Sequence, residues 1–329
     1  MMPLSLEDMM ADVLCFGNLQ FDVLCRPVAS LPAPGELQHI DHIDFALSGN
    51  GGNVAMALAR LGIAVDLAGY SGADAVGASF RRTLAAQGVG LGALLKHPTT
   101  STGTSVIAVS PSGERTVLFV NGSNSCFDLD TVPDAWLEGV RVVSAGSVFV
   151  LPQFTQDALT ALFRRAHDHG AVTVLNTCPV PDKTSLDALT TVLSVTDYFV
   201  LSGHEGRQLV GTDDPERILE VLDARTRGTV ILTLGERGCC LRVGDGIEYI
   251  PAETVAAVDC TGAGDAFVAG FIAGIVTGRP LVEAARLGCK VASYAVTGLG
   301  AYPRIPVLAQ LDHRLPRQRQ MTGDAHARE

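Results

Sequence analysis

From residue 140 onward, short apolar runs alternate with segments whose apolar residues recur every three or four positions, and this rhythm admits few architectures. The pattern predicts strands at 140–144, 172–176, 198–201 and 230–233, and a hairpin at 239–243 and 247–250. It predicts helices at 155–169, 185–193, 205–210, 215–227, 264–277 and 281–297. Strand and helix in strict alternation give an α/β fold, a mainly parallel sheet covered by helices on both faces. Composition agrees: 47% hydrophobic residues, 35 glycines and only 5% aromatics suit many tight strand–helix turns. With 329 residues the chain can bury a full core, as one large domain or two ordinary ones.

The first 139 residues are less regular. Residues 12–17 read as a buried strand continuing through Asn18 to Asp22. The Asp22 carboxylate then lies just past a strand end, where α/β proteins place ligands; a turn former is the plainer reading. Residues 31–35 (Leu-Pro-Ala-Pro-Gly) break the chain, and 38–47 are short and partly polar. Ser48-Gly-Asn-Gly-Gly-Asn53 then leads into Val54, Ala57, Leu58 and Leu61 at helical spacing, closed by Gly62. Asn53 fits either a helix cap or a ligand contact. A second strand is predicted at 63–70 and a helix at 73–87. Residues 102–120 alternate around Ser-Pro-Ser-Gly and predict a hairpin, 104–109 with 115–120. With the excursion at about 33–47 it could form a small sheet lidding a site; an edge extension of the main sheet explains the same periodicity.

The stretch from Val258 to Phe271 concentrates the chemistry. Gly262, Ala263 and Gly264 are small, Asp265 follows, and Phe267, Phe271, Ile272 and Ile275 continue at helical spacing. A loop entering a helix leaves backbone N–H groups unpaired, and the helix dipole favours negative charge there. An anion cradle with a carboxylate beside it can take a proton from a hydroxyl attacking a phosphoryl group. A tight turn with Asp265 as a first-turn acid accounts for the same residues.

Several classes are excluded. The net charge of −11 argues against non-specific nucleic-acid or anionic-membrane binding. The lysines are Lys96, Lys183 and Lys290, and none follows a glycine, so there is no Walker-A loop. No Gly-x-Gly-x-x-Gly opens a βαβ unit, which removes the dinucleotide fold. The eight cysteines make no Cys-x-x-Cys pair and read as reduced core thiols of a cytoplasmic protein. Residues 1–10 carry Glu7 and Asp8 but no basic residue, unlike a signal peptide, and the apolar run 266–276 is too short to span a bilayer. Residues 1–11 and 313–329 are expected to be flexible tails.

Taken together, Asp259-Cys-Thr-Gly-Ala-Gly-Asp-Ala-Phe267, the Gly-Asn-Gly-Gly-Asn53 helix start and Asn121-Gly-Ser-Asn124 form a constellation. Leu175-Asn-Thr-Cys-Pro179, Thr233-Leu-Gly-Glu-Arg-Gly238 and Gly300-Ala-Tyr-Pro303 complete it. In this order they resemble the ribokinase-like (PfkB) carbohydrate and nucleoside kinases, over about residues 12–306. The resemblance implies a ribokinase-like domain over 12–310, with a central mainly parallel sheet flanked by helices and a small β-sheet lid. It implies ATP and Mg²⁺ as cofactors, Asp265 as catalytic base and the amides of Gly262, Ala263 and Gly264 as anion hole. On the same footing Asp22, Gly52 and Asn53 contact a sugar, and Asn176, Thr233, Gly235 and Gly238 belong to the nucleotide side. Glu205 would act on Mg²⁺ through water, and Asp259 is offered to a monovalent cation. A homodimer through the lid is a further implication.

There are three departures from the family pattern. Ser48-Gly49-Asn50 stands where Gly-Gly-Lys or Gly-Gly-Asn is usual, which alters the sugar pocket wall. Ser202 replaces the Asn of an Asn-x-x-Glu motif, predicting altered phosphate and Mg²⁺ handling. Arg304 follows Gly-Ala-Tyr-Pro in place of a small hydroxyl residue, and its guanidinium is a candidate substitute for the monovalent cation. An anionic sugar would need a fixed cation, for which Arg115 is the candidate, so the reading favours a neutral sugar. A nucleoside kinase, with Phe16, Phe45, Phe119 or Phe149 as base clamp, is the alternative, and a non-catalytic metabolite binder the other.

Overall fold

The computed structural model describes residues 11–177, 184–298 and 304–311. The Gly300–Pro303 motif, Lys183 and the expected tails at 1–11 and 313–329 lie outside the described residues, apart from Ala11, which is buried. Strand β1 (Val13–Phe16) is buried along its whole length. Val13 and Cys15 pack into one hydrophobic cluster, Leu14 and Phe16 into another. Successive strand residues point to opposite faces, so the two clusters are the two covered sides of one sheet.

Along the chain follow β2 (Gln20–Arg26), β3 (His42–Ser48), α1 (Asn50–Leu61), β4 (Val65–Gly72), α2 (Ala75–Ala86), β5 (Leu94–His97), β6 (Thr104–Val109) and β7 (Arg115–Val120). The second half adds β8 (Val142–Ala145), α3 (Gln156–Asp168), β9 (Val172–Asn176), α4 (Thr190–Leu193), β10 (Tyr198–Ser202), α5 (Gly203–Val210), α6 (Pro215–Asp223) and β11 (Thr229–Thr233). The hairpin β12 (Cys239–Val243) and β13 (Gly246–Ile250), then α7 (Ala263–Val276), α8 (Leu281–Ala295) and α9 (Leu308–Leu311) close it.

The main sheet has nine strands in the order β13-β12-β11-β10-β9-β8-β1-β4-β5. All pairs from β11 to β5 are parallel, and the β12–β13 hairpin adds an antiparallel edge. Helices α1, α7 and α8 cover one face and α3, α5 and α6 the other. Helix α7 is apolar on every side, as its position between α1 and α8 requires. No helix among the described residues is long and apolar enough to cross a membrane.

A second sheet of four strands, β3-β2-β6-β7, stands apart from the first. The 104–109 and 115–120 hairpin was legible, and it extends this small sheet rather than an edge of the main one. The strand expected to run from 12 through Asp22 is two strands in two sheets. The chain leaves the main sheet after Phe16, and Asp22 sits inside β2, paired with Ala46 and Ser105. The register puts Asp22, Ser105 and Phe119 on one face and Val23, Phe45, Val106 and Leu118 on the other.

The helix expected at 185–193 is split. Ser185 caps a single 3-10 turn at Leu186–Ala188, and only Thr190–Leu193 is α-helical. Strand β5, Leu-Leu-Lys-His, carries too little alternation to be anticipated. The cysteines only partly fit a reading as core thiols. Cys15, Cys239, Cys240 and Cys289 are buried, but Cys126 and Cys260 are exposed.

Candidate active site

The site forms where β1 ends against the start of α1. A Cβ on Gly17 would lie 2.7 Å from the Gly51 nitrogen, and one on Gly51 would lie 2.8 Å from the Gly17 carbonyl carbon. Only glycine at both places lets the two backbones touch. The contact brings Asn18, just past β1, beside the first turn of α1. The Asn18 side-chain carbonyl accepts from the Asn50 backbone N–H (2.8 Å) and from the Ser147 hydroxyl (2.7 Å). Ser147 is fully buried with φ 62, a left-handed conformation rare outside glycine.

Helix α1 begins at Asn50, with Gly49 as its cap residue, so Asn53 does not cap it. Asn50 and Asn53 are three apart and share one helix face. Both point at Asp265: Asn50 Nδ2 donates to Oδ1 (2.6 Å) and Asn53 Nδ2 to Oδ2 (2.8 Å). Burial is the main influence on Asp265 and pushes its carboxyl up to about 6, while the two amide bonds pull it down and the Glu205 charge adds a further rise. A carboxyl near 6 reaches the lower edge of the range to which general bases working at neutral pH are tuned.

Asp265 lies in the first turn of α7. Gly262, at φ 74, is the left-handed residue that turns the loop into this helix, and no side chain caps the end. The Ala263 N–H donates to Cys260 O (3.2 Å), so that amide is spent within the turn and is not free for an anion. The first-turn amides of Gly264 and Asp265 have no residue four back within the helix to accept them. A Cβ on Gly264 would meet nothing within 4 Å. The Gly262–Asp265 segment, Asn18, Asn50, Thr177 and Phe119 wall a cavity of about 480 Å³, a size suited to a small metabolite. Asn176 Oδ1 and Thr177 Oγ1, at the end of β9, are buried and have no hydrogen-bond partner among the described residues.

The other expected site residues fall around this centre. Asp22 shares a face of the small sheet with Phe119, which walls the cavity, and accepts a 2.6 Å bond from the Ser48 hydroxyl; burial raises its pKa, while Ser48, Ser105 and the Arg115 charge lower it. Gly52 is buried in the first turn of α1, and a side chain there would point toward Phe80 and Met56 in the core, at 3.6 and 4.0 Å. Thr233 and Gly235 line a second cavity of about 450 Å³ with Ser202, Gly203 and Arg237. Gly238, at φ 93, leaves no room for a side chain beside Ile250 O.

Glu205 Oε2 accepts from the Ser202 N–H (2.7 Å) and hydroxyl (2.8 Å), while Ser202 Oγ accepts from the Glu205 N–H. Ser202 therefore does local work where Asn was expected: it caps α5 and fixes the Glu205 carboxylate. Asp259 Oδ1 accepts from the Thr261 N–H (2.9 Å) and hydroxyl (2.6 Å) and from Arg115 Nη2 (3.2 Å). The guanidinium at Asp259 is thus Arg115, from the small sheet; the Arg304 stem lies against Gly298.

A family model described as pfkB family carbohydrate kinase matches residues 10–308. The chain belongs to the PfkB family. As a kinase of this family it is a phosphotransferase with an alcohol group as acceptor. A ribokinase of Schizosaccharomyces pombe is 29% identical over 92% of this PfkB chain and 97% of its own. An Arabidopsis thaliana ribokinase, solved in complex with ribose and ATP, superposes with a TM-score of 0.83 at 22% identity, covering 92% of this chain and 98% of that one. A putative ribokinase II of E. coli, solved with ATP and Mg²⁺, gives 0.78 at 21% identity over 92% and 98%. The PfkB fold, with its central sheet and separate small sheet, is therefore shared with these structures.

Sequence reasoning singled out Asp265 and Asn53 and set Asn50 in the sugar pocket wall, but it missed the bond from Asn50 to Asp265 and the supporting Asn18 and Ser147. The i, i+3 spacing of Asn50 and Asn53 was a usable signal for the first. Nothing in the sequence marks Ser147 as left-handed.

Proposed function

We propose that this PfkB protein transfers the γ-phosphoryl group of ATP to a hydroxyl of a small neutral sugar. Asp265 removes the hydroxyl proton. Its two oxygens are held by Asn50 and Asn53, which fixes the carboxylate plane toward the cavity. The open amides of Gly264 and Asp265, with Gly262 setting the turn, stabilise charge on the transferred group. Asn53 and Asp22 hold the sugar, Asp22 from the lid face. Thr233, Gly235, Gly238 and Asn176 make the nucleotide side. The orphaned Asn176 and Thr177 oxygens and the uncapped end of α7 fit an Mg²⁺-bound triphosphate, for which Glu205 is the nearby carboxylate, acting through water. Bound Mg²⁺ supplies neutralisation of phosphate charge.

The observation that carries this reading is one cavity bringing together a doubly held, pKa-raised carboxylate and an uncapped helix N-terminus. Neutrality of the sugar rests on the cavity wall, where no described side chain is cationic. Arg115, the one candidate cation, is engaged by Asp259 and Thr261. That engagement also supports turnover without a monovalent cation at Asp259.

The lid is the four-stranded sheet, and its outer face carries Ile43, Phe45, Leu118 and Val120, each more than half exposed. Such a face supports a homodimer formed lid to lid. The seven described cysteines are all free thiols, Cys239 and Cys289 at 3.6 Å included, which supports a reducing, cytoplasmic setting.

ADP release from Mg·ATP across a panel of neutral sugars, sugar phosphates and nucleosides tests the proposal. Turnover on a neutral sugar is the expected result. Preference for a nucleoside or an anionic sugar overturns the substrate class, and ligand-induced thermal stabilisation without any turnover makes the protein a binder.

A further inference from the structure

Every residue of β7, the edge strand of the lid, is exposed. Its first residue, Arg115, crosses to the main body, where Nη2 lies 2.6 Å from Thr261 Oγ1 and 3.2 Å from Asp259 Oδ1. Thr261 already folds onto Asp259 through its own N–H and hydroxyl. The guanidinium therefore joins a closed three-residue knot one position before Gly262, where the cradle begins. Arg115 and Phe119 are four apart in one strand and share its inner face. Phe119 forms part of the cavity wall together with the Gly262–Asp265 segment.

We infer that Arg115 is a positioning residue that latches the lid edge to the 259–264 loop, seating Phe119 over the cavity while the cradle amides face it. Arg115 itself touches neither substrate nor Asp265. Tying both sides of the cavity to one guanidinium couples closure of the cover to the placement of the groups beneath it. A single donor nitrogen serving two acceptors, on a planar group with further donors, suits arginine better than lysine, whose ammonium is a strongly hydrated point charge. The kinetic part of this inference rests on the phosphoryl-transfer reading; the latch itself does not.

The test compares wild type, Arg115→Lys and Arg115→Met in the full chain. Hydrogen exchange of the ligand-free proteins should be several-fold faster in both 115–120 and 259–264 for Arg115→Met, with Arg115→Lys in between. Unchanged exchange at 259–264 in Arg115→Met overturns the latch, whatever the protein's activity. With the best neutral sugar, kcat of Arg115→Met should fall on the order of tenfold while the sugar KM moves much less. A raised sugar KM at unchanged kcat would make Arg115 a direct substrate contact and also overturns the inference. If wild type turns over no sugar, the transfer reading fails and the exchange result alone decides the latch.

Discussion

The base of the cavity and its cover are built on opposite plans. Beneath, Asp265 is gripped by Asn50 and Asn53, Asn50 is held by Asn18, and Asn18 by Ser147, all on elements packed into the main core. Above, the lid strands β3 and β7 are largely exposed, with Phe45 at 67%, and polar ties such as Arg115 to Asp259 join them to the body. The contrast teaches where each demand is met. Proton transfer tolerates little displacement, so its groups stand on the rigid sheet and helices. A cover must open to admit substrate, so it is fastened by a few exchangeable bonds and has little core of its own.

If this division holds, damage beneath the cavity should reach catalysis directly, and damage above it should reach affinity, assembly or, where the latch is cut, turnover through closure. The largest effect is expected from Asp265→Asn, which keeps the shape and removes the base: turnover should fall about 10²- to 10⁴-fold in an ADP-release assay. Asn53→Ala or Asn50→Ala removes one bond to a charged carboxylate and should lower kcat/KM by about 10- to 100-fold. Gly51→Ala forces its new methyl to within 2.8 Å of the Gly17 backbone. It should cost about 1–3 kcal/mol in denaturant unfolding and lower activity with it. Asp22→Ala, on the lid, should raise the sugar KM about tenfold with a smaller change in kcat. Smallest of all, the paired outer-face changes Phe45→Ser and Leu118→Ser should leave kcat within about twofold and shift the mass in solution toward monomer. A large kcat loss from this outer-face pair would break the comparison.

The sequence made the main sheet legible because β8 to β13 and their helices repeat one pattern with clean turns. It also announced the 104–120 hairpin, through strict alternation around Ser-Pro-Ser-Gly. It hid one of the lid's two central strands: Gln20–Arg26 follows β1 after only Gly17, Asn18 and Leu19, too short a break for periodicity to separate two strands in different sheets. In the site, Asp265 and the small residues before it were visible as a motif, because helix entry has a local chemistry. The bond of Ala263 N–H to Cys260 was invisible, since it depends on how the turn closes. The meeting of Asn50 with Asp265, 215 residues apart, is tertiary and left only the i, i+3 spacing as a trace. The tie from Arg115 to Asp259, 144 residues apart, was equally invisible, because nothing in a sequence tells that Arg115 reaches across from the lid.

The central claim is that the acceptor proton passes to Asp265, and the pH dependence of kcat/KM reads it. Burial raises this carboxyl to about 6, and a base works only when deprotonated, so activity should climb through about pH 6 to a plateau above it. Asn53 lowers that value by bonding the ionised form, so Asn53→Ala should move the rise to higher pH. A flat profile between pH 5 and 8, or a rise that does not shift in Asn53→Ala, would contradict Asp265 as the base.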